Sequence, residues 1–257
     1  MNKNRLSVIV TGGVSGIGEA VVKLCLKKNY QVGVIDIDQN KGEKLLQKNK
    51  NNNLFFFKAD VTNQKSLEDA FSYFDKKMSN LNGCVTCAGI IPSREKIENH
   101  NQKDFIKIIN SHLSGTFLSC KIASKFFSEK SGGSIVTLSS VLSIRPGPVL
   151  AYGAAKAGIV NLTQALAVHW ARKNIRINSI SPGWVDTPFI RTQEKEGRDL
   201  SPVINLSPMG RMVKPIEIAN IVLFLLSPLS SAMTGANIVA DCGITLSGGY
   251  LPYGDLP

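Results

Sequence analysis

Short apolar runs alternate with longer stretches of helical periodicity along almost the whole chain. Residues 6–10 form a buried-strand run, followed by a glycine-rich turn. Apolar positions then recur with helical spacing through Val21, Val22, Leu24 and Cys25. The next run, 31–35, ends at Asp36-Ile37-Asp38, and a charged helix is predicted over about 40–48. A Lys/Asn-rich loop at 48–53 leads into a third run, 54–58, ending at Ala59-Asp60-Val61. Thr62 is placed to cap the helix that carries Leu67, Ala70, Phe71 and Phe74. Further strands are predicted at 84–87, 134–138, 175–180 and 236–240. Between them lie a helical region at 102–128 and a helix that carries Tyr152 and Lys156 to about residue 173. A polar stretch at 188–208 has room for short helices, and Pro215 opens a last helix through Ile218, Ile221, Val222 and Leu225.

Strands that alternate with helices indicate βαβ units. The predicted class is α/β: a doubly wound Rossmann fold, with a seven-stranded, mainly parallel sheet covered by helices on both faces, in three layers. No repeat or linker interrupts the pattern, so residues 1–257 are expected to form one domain. In such sheets ligands bind beyond the C-terminal strand ends, where the strand order reverses. The polar motifs of this chain fall at those ends.

Composition narrows the function. The chain is 43% hydrophobic and 19% charged, which suits one sizeable globular core. No apolar run approaches the ~18 residues of a membrane span. The apolar run at 6–10 is too short for a signal-peptide core, so a cytoplasmic protein is expected. The net charge of +11 comes from 30 Lys+Arg against 19 Asp+Glu. These cations are scattered and no aromatic-rich basic groove accompanies them, so neither a nucleic-acid nor a membrane partner is expected. Five cysteines make no disulfide framework. Cys84 and Cys87 match C-x-x-C, but residues three apart on a strand face opposite ways, and no metal site is expected.

The stretch from Thr11 through Gly12, Ser15, Gly16 and Ile17 to Gly18 follows a strand and opens a helix, the context a dinucleotide-binding turn requires. Its glycines allow a tight turn and close approach of a pyrophosphate, and the helix N-terminus offers amide donors and partial positive charge. Asp36 ends the second strand, eighteen residues beyond Gly18. A carboxylate there accepts from both ribose hydroxyls of NAD and repels the extra phosphate of NADP. Neither Ser15 nor Ile37 supplies a cation for that phosphate, so NAD is the expected cofactor. Asp60 and Val61 suit the adenine edge. Tyr152 and Lys156, four apart, share one face of a helix. A phenol titrates near 10. Bringing it to about 7 requires about 4 kcal/mol, within reach of a close cation in a partly dry site. Taken alone, such a pair occurs by chance in many helices. Ser139-Ser140 ends the fifth strand, and Asn110 lies inside a helical region, where its low propensity suggests a kink that holds a water.

Together these residues resemble the short-chain dehydrogenase/reductase family in its compact form, over essentially the whole chain. Residues 11–18 match its TGxxxGxG turn and Tyr152 to Lys156 its YxxxK. Ser181-Pro182-Gly183 to Thr187 match its nicotinamide loop, and Met233-Thr234-Gly235 and Val239-Ala240-Asp241 its C-terminal segment. The resemblance implies Tyr152 as the acid/base, Lys156 as the cation that lowers its pKa and binds the nicotinamide ribose, and Asn110 as the holder of a relay water. It implies a serine bound to the substrate oxygen; spacing points to Ser139, strand register to Ser140, and Ser140 is chosen because a strand shift would turn every side chain over. Ala88, Gly89, Ile91, Pro182, Gly183, Val185 and Thr187 would line the cofactor. By the same analogy the chain forms a homotetramer or dimer.

Two departures stand out. The family's NNAG is here Thr86-Cys87-Ala88-Gly89, which predicts an effect on stability rather than on activity. Its Asp-Gly-Gly is here Asp241-Cys242-Gly243, with no predicted consequence. The expected substrate is a small alcohol or carbonyl compound, in a pocket walled by Arg94, Ser143, Arg145, Trp184 and the 188–208 loop. His100, His112 and His169 are expected to be structural or surface residues. Two alternatives stay open: a catalytically silent NAD-binding regulatory or assembly protein, and an epimerase or dehydratase of the extended kind, which 257 residues argue against.

Overall fold

The computed structural model describes residues 6–90, 96–127 and 132–248. The first half runs β1 (Ser7–Thr11), α1 (Gly16–Lys27), β2 (Gln31–Asp36), α2 (Gln39–Asn49), β3 (Leu54–Lys58), α3 (Gln64–Lys77) and β4 (Leu81–Thr86). The second half runs α4 (Gln102–Ile109), α5 (Gly115–Phe126), β5 (Gly133–Leu138), α6 (Leu150–Trp170), β6 (Ile175–Pro182), α7 (Pro188–Lys195), α8 (Ser201–Asn205), α9 (Pro215–Leu226), β7 (Asn237–Ala240) and α10 (Ile244–Ser247). The seven strands form one sheet in the order β3-β2-β1-β4-β5-β6-β7. Every pairing in it is parallel. The order reverses between β1 and β4, which makes that gap the crevice for a ligand.

Both faces of the sheet are covered, so the strands are apolar on both sides. On one face Val8, Val10, Val34, Val85 and Val136 pack against Val21, Val22 and Cys25 of α1 and Ile218, Val222 and Leu225 of α9. On the other, Ile9, Ile35, Cys84, Ile135 and Ile177 pack against Phe71 and Phe74 of α3, Cys120, Ile122 and Ala123 of α5 and Ala167 of α6. Val8 and Val10 point one way and Ile9 the other, as strand alternation demands. Each fully buried aliphatic or phenyl side chain contributes about 1.5–3 kcal/mol, so a one-residue slip of β1 is strongly excluded.

Four local outcomes refine the sequence reading. Thr62 does not cap α3: its hydroxyl donates to Asp60 Oδ1 at 2.8 Å. Asn63 is the cap, its side-chain oxygen accepting from Ser66 N at 2.9 Å. The helical region at 102–128 is interrupted by a π-helical turn at Asn110–Ser114, where Gly115 N donates to Asn110 O five residues back. The 188–208 stretch does contain two short helices, α7 and α8, which form a small core of Ile190, Leu200, Val203 and Met212. Cys242 has a consequence after all: its φ of +56° is left-handed, which costs a side chain about 1–2 kcal/mol and a glycine little.

Cys84 and Cys87 belong to opposite faces of the sheet. Among the described residues no three His, Cys, Asp or Glu side chains are grouped to hold a metal. No described helix is long and apolar enough to cross a membrane.

Candidate active site

A cavity of about 1180 Å³ opens along the C-terminal edge of the sheet. It extends from the glycine turn past Asp36, Asp60 and Val61 to Ser140, Tyr152 and Lys156. At the turn, Gly12 has φ +67°, and a Cβ there would lie 2.7 Å from the Ala88 backbone. A Cβ on Gly18 would lie 2.1 Å from Gly12 O, so α1 is seated directly on the turn. Ser15 precedes α1 and its side chain makes no capping bond. The first-turn amides, including those of Ile17 and Gly18, have no intrahelical acceptor, and both residues line the cavity. Such donors fit the phosphates of a dinucleotide.

Asp36 lies on the cavity wall, accepting from Asp38 N at 3.1 Å and Val14 N at 3.4 Å. Ile37 beside it is exposed. Asp60 Oδ1 accepts from Thr62 N at 2.8 Å and from the Thr62 hydroxyl. Beyond β4, Cys87 N donates to Thr11 O at 3.0 Å, which holds Ala88 and Gly89 against the turn. Beyond β6, Gly183 N donates to Ala240 O at 3.0 Å, and Val185 pairs with Val213 in an isolated bridge. This brings Pro182, Val185 and Thr187 onto the same cavity wall. Thr187 faces Gly16 across the entrance, 3.5 Å from where a Cβ would stand.

Tyr152 and Lys156 sit one turn apart on α6 and both line the cavity. Lys156 is buried, and its Nζ donates to Leu138 O at 2.7 Å. The same Nζ lies 5.3 Å from the centroid of the Tyr152 ring. Burial pulls the ammonium down from 10.5 to about 8. Burial also pushes the Tyr152 phenol above its ordinary 10, while its hydrogen bond with Ser140 acts the other way. The expected lowering of the phenol by Lys156 is therefore absent in the protein alone. Desolvation outweighs the hydrogen bond, and the ammonium is turned to a carbonyl.

The two adjacent serines face different partners. Ser139 Oγ donates to Lys156 O at 2.8 Å and is buried. Ser140 Oγ accepts from Leu142 N at 3.2 Å and meets the Tyr152 side chain. Ser143 is not on the pocket wall: its hydroxyl donates to Ser140 O at 2.6 Å and bonds Ser181 Oγ at 3.2 Å. Arg145 is not there either; its guanidinium leans on Gly248. Trp184 does line the cavity, with the Arg198 guanidinium 4.5 Å above its ring. Arg94 and Ile91 lie outside the described residues.

Asn110 lines the cavity but is exposed, and its side chain accepts from Ser114 Oγ at 3.4 Å. The π-turn side chain that stands against Tyr152 is His112. It is buried, and its ring stands edge-on to Tyr152, with centroids 5.0 Å apart and planes at 89°. Sequence periodicity could not find it. A π-turn adds one residue and shifts the helical phase, so spacing alone does not tell which of residues 110–114 points inward.

Comparison with known proteins agrees with this geometry. Residues 12–245 match the family model described as enoyl-(acyl carrier protein) reductase. The human 3-oxoacyl-[acyl-carrier-protein] reductase is 32% identical over 92% of this chain and 97% of its own length. The NAD-dependent glycerol dehydrogenase of Listeria innocua is 32% identical over 93% of each chain. One relative is longer: the chain spans 43% of an uncharacterized short-chain type dehydrogenase/reductase of Sinorhizobium fredii, at 31% identity. Among solved structures, ElxO with NADP bound superimposes with a TM-score of 0.88 at 28% identity, covering 94% of this chain and 99% of that one. The chain belongs to the short-chain dehydrogenase/reductase family of oxidoreductases, whose fold binds a nicotinamide cofactor.

Proposed function

We propose that this protein is an NAD-dependent oxidoreductase acting at the carbinol or carbonyl carbon of a secondary alcohol or ketone, with Tyr152 as its acid/base. The observation that carries this reading is a single continuous cavity, shared by the glycine turn and by Tyr152, Ser140 and Lys156. When bound, the nicotinamide accepts or supplies the hydride, and it brings a positive charge in its oxidised form. The chain's own residues do the rest. The amides of the glycine turn hold the pyrophosphate. Ser140 hydrogen-bonds the substrate oxygen, and Tyr152 takes the hydroxyl proton in oxidation or returns it in reduction. Lys156 favours the phenolate in the occupied site, where the oxidised nicotinamide adds to its charge.

The preference for NAD is supported by Asp36, which lines the cavity at the end of β2 where a carboxylate can accept from the ribose hydroxyls, with no cation on Ser15 or Ile37. The glycerol dehydrogenase relative is named for NAD, whereas the ElxO structure holds NADP. The relatives' names point to carbinol or carbonyl substrates of different size. The direct test is Tyr152→Phe, assayed for NADH formation with a panel of secondary alcohols and for NADH binding by fluorescence. Turnover is expected to vanish while binding stays within about twofold, since the lost hydroxyl acts on the substrate oxygen. Retained turnover would refute the assignment.

A further inference from the structure

We propose that His112 is a positioning residue of the Tyr152 site: its ring holds the Tyr152 ring edge-on, and its Nδ1 accepts a hydrogen bond from an O–H group at the inner end of the cavity. That group is a water or a hydroxyl of the bound cofactor. The proposal rests on Tyr152 being the acid/base.

The tautomer follows from one contact. His112 Nε2 lies 2.8 Å from Ile90 O. A carbonyl oxygen can only accept, so Nε2 carries the proton and Nδ1 carries a lone pair. The ring is 5% exposed, and Nδ1 has no hydrogen-bond partner. A buried acceptor left unpaired is unfavourable, and such atoms in folded proteins are commonly met by water or ligand. Charging the ring is no escape: burial, with Lys156 adding to it, pushes its pKa down to about 3.

Gly89 packs directly against the ring edge that carries Nδ1. A Cβ at Gly89 would lie 2.1 Å from His112 Cε1 and 2.5 Å from Nδ1. Only a residue without a side chain can stand there. The imidazole is thus gripped on one edge by Ile90 O and meets Gly89 on another. Tyr152 completes the setting with its edge-to-face contact. The π-turn turns this histidine inward while Asn110 stays exposed.

Nitrogen NMR of the protein with ¹⁵N-labelled histidine tests the proposal without any turnover. The Nε2–H tautomer is expected, with the Nδ1 resonance displaced toward that of a hydrogen-bonded acceptor. Displacement in the ligand-free protein identifies water as the donor; displacement only after addition of NADH identifies a cofactor hydroxyl. An Nδ1–H tautomer, or an unbonded Nδ1 in both states, overturns the proposal.

His112→Phe supplies the kinetic test, because it keeps an aromatic edge against Tyr152 but has no acceptor. Its kcat is expected to fall about tenfold with KM near wild type, as for one lost hydrogen bond beside the reacting group, while its melting temperature falls by a few degrees because the Nε2–H bond to Ile90 O is lost as well. Wild-type kcat in His112→Phe alongside an inactive Tyr152→Phe overturns the role of His112 and leaves the oxidoreductase reading intact.

Discussion

Ser139 donates its hydroxyl to the main-chain oxygen of Lys156 at 2.8 Å, tying the end of β5 to the helix that carries the lysine. Its neighbour Ser140 turns instead to Tyr152. The two alanine variants should therefore separate. Ser139→Ala is expected to lower stability by about 1 kcal/mol, the net worth of one hydrogen bond, with kcat largely retained. Ser140→Ala is expected to keep its melting temperature and lose about 10–100-fold in kcat, the scale of one donor at a reacting oxygen. Urea unfolding and steady-state turnover on both variants check this; the reverse pattern would assign the substrate-binding role to Ser139.

His112 also controls stability in acid. In the unfolded chain its imidazole binds a proton near pH 6.5, in the folded protein only near 3. Between those values the unfolded state holds more protons, so stability falls as pH falls through that window. The loss is on the order of a few kcal/mol by pH 4, to which burial contributes most. Lys156, Tyr152 and the Ile90 carbonyl face the ring. Glu217, held at about 2 by Arg211, adds a loss only below about 4.5. Denaturant titrations from pH 7 to 4 should show a shallower decline in His112→Phe than in wild type. Parallel curves would mean that the histidine is already charged or free.

Cofactor choice should follow the charge at the end of β2. Replacing Asp36 by serine and Ile37 by arginine removes the anion and adds a cation where the 2′-phosphate of NADP would stand. NADH affinity is expected to fall and NADPH affinity to rise, each by about tenfold, the worth of one charge-assisted hydrogen bond. Fluorescence titration with both cofactors measures it. A wild-type protein that already prefers NADPH sinks the argument from Asp36.

Thr86 offers a stabilising change. Its hydroxyl is buried and has no hydrogen-bond partner. Thr86→Val keeps the shape and removes the unpaired oxygen, which should stabilise by about 1 kcal/mol. For a chain of this length that is about 2–4 °C in melting temperature. Scanning calorimetry decides it, and a lowered Tm would mean that the hydroxyl is satisfied by water. This variant tests the stability effect expected from having Thr86 where the family has an asparagine.

Period and turn chemistry were enough to predict the α/β class, the parallel sheet and the dinucleotide turn, because strand alternation, helical spacing and the glycine turn are local properties of the chain. Local spacing also put Tyr152 and Lys156 on one helix face, and strand register favoured Ser140 over Ser139. Beyond that, decisions belonged to contacts between elements distant in sequence. Whether Lys156 points at a phenol or at Leu138 O depends on how α6 lies against β5. Ser143 reads as a pocket residue until Ser181 on β6 is seen beside it. That His112 is buried beside Tyr152 while Asn110, also on the cavity wall, is exposed depends on one extra residue in a helical turn and on the absence of a side chain at Gly89. A phase shift of that kind leaves no periodic trace in the sequence, and a buried, unpaired nitrogen is visible only once the walls around it are in place.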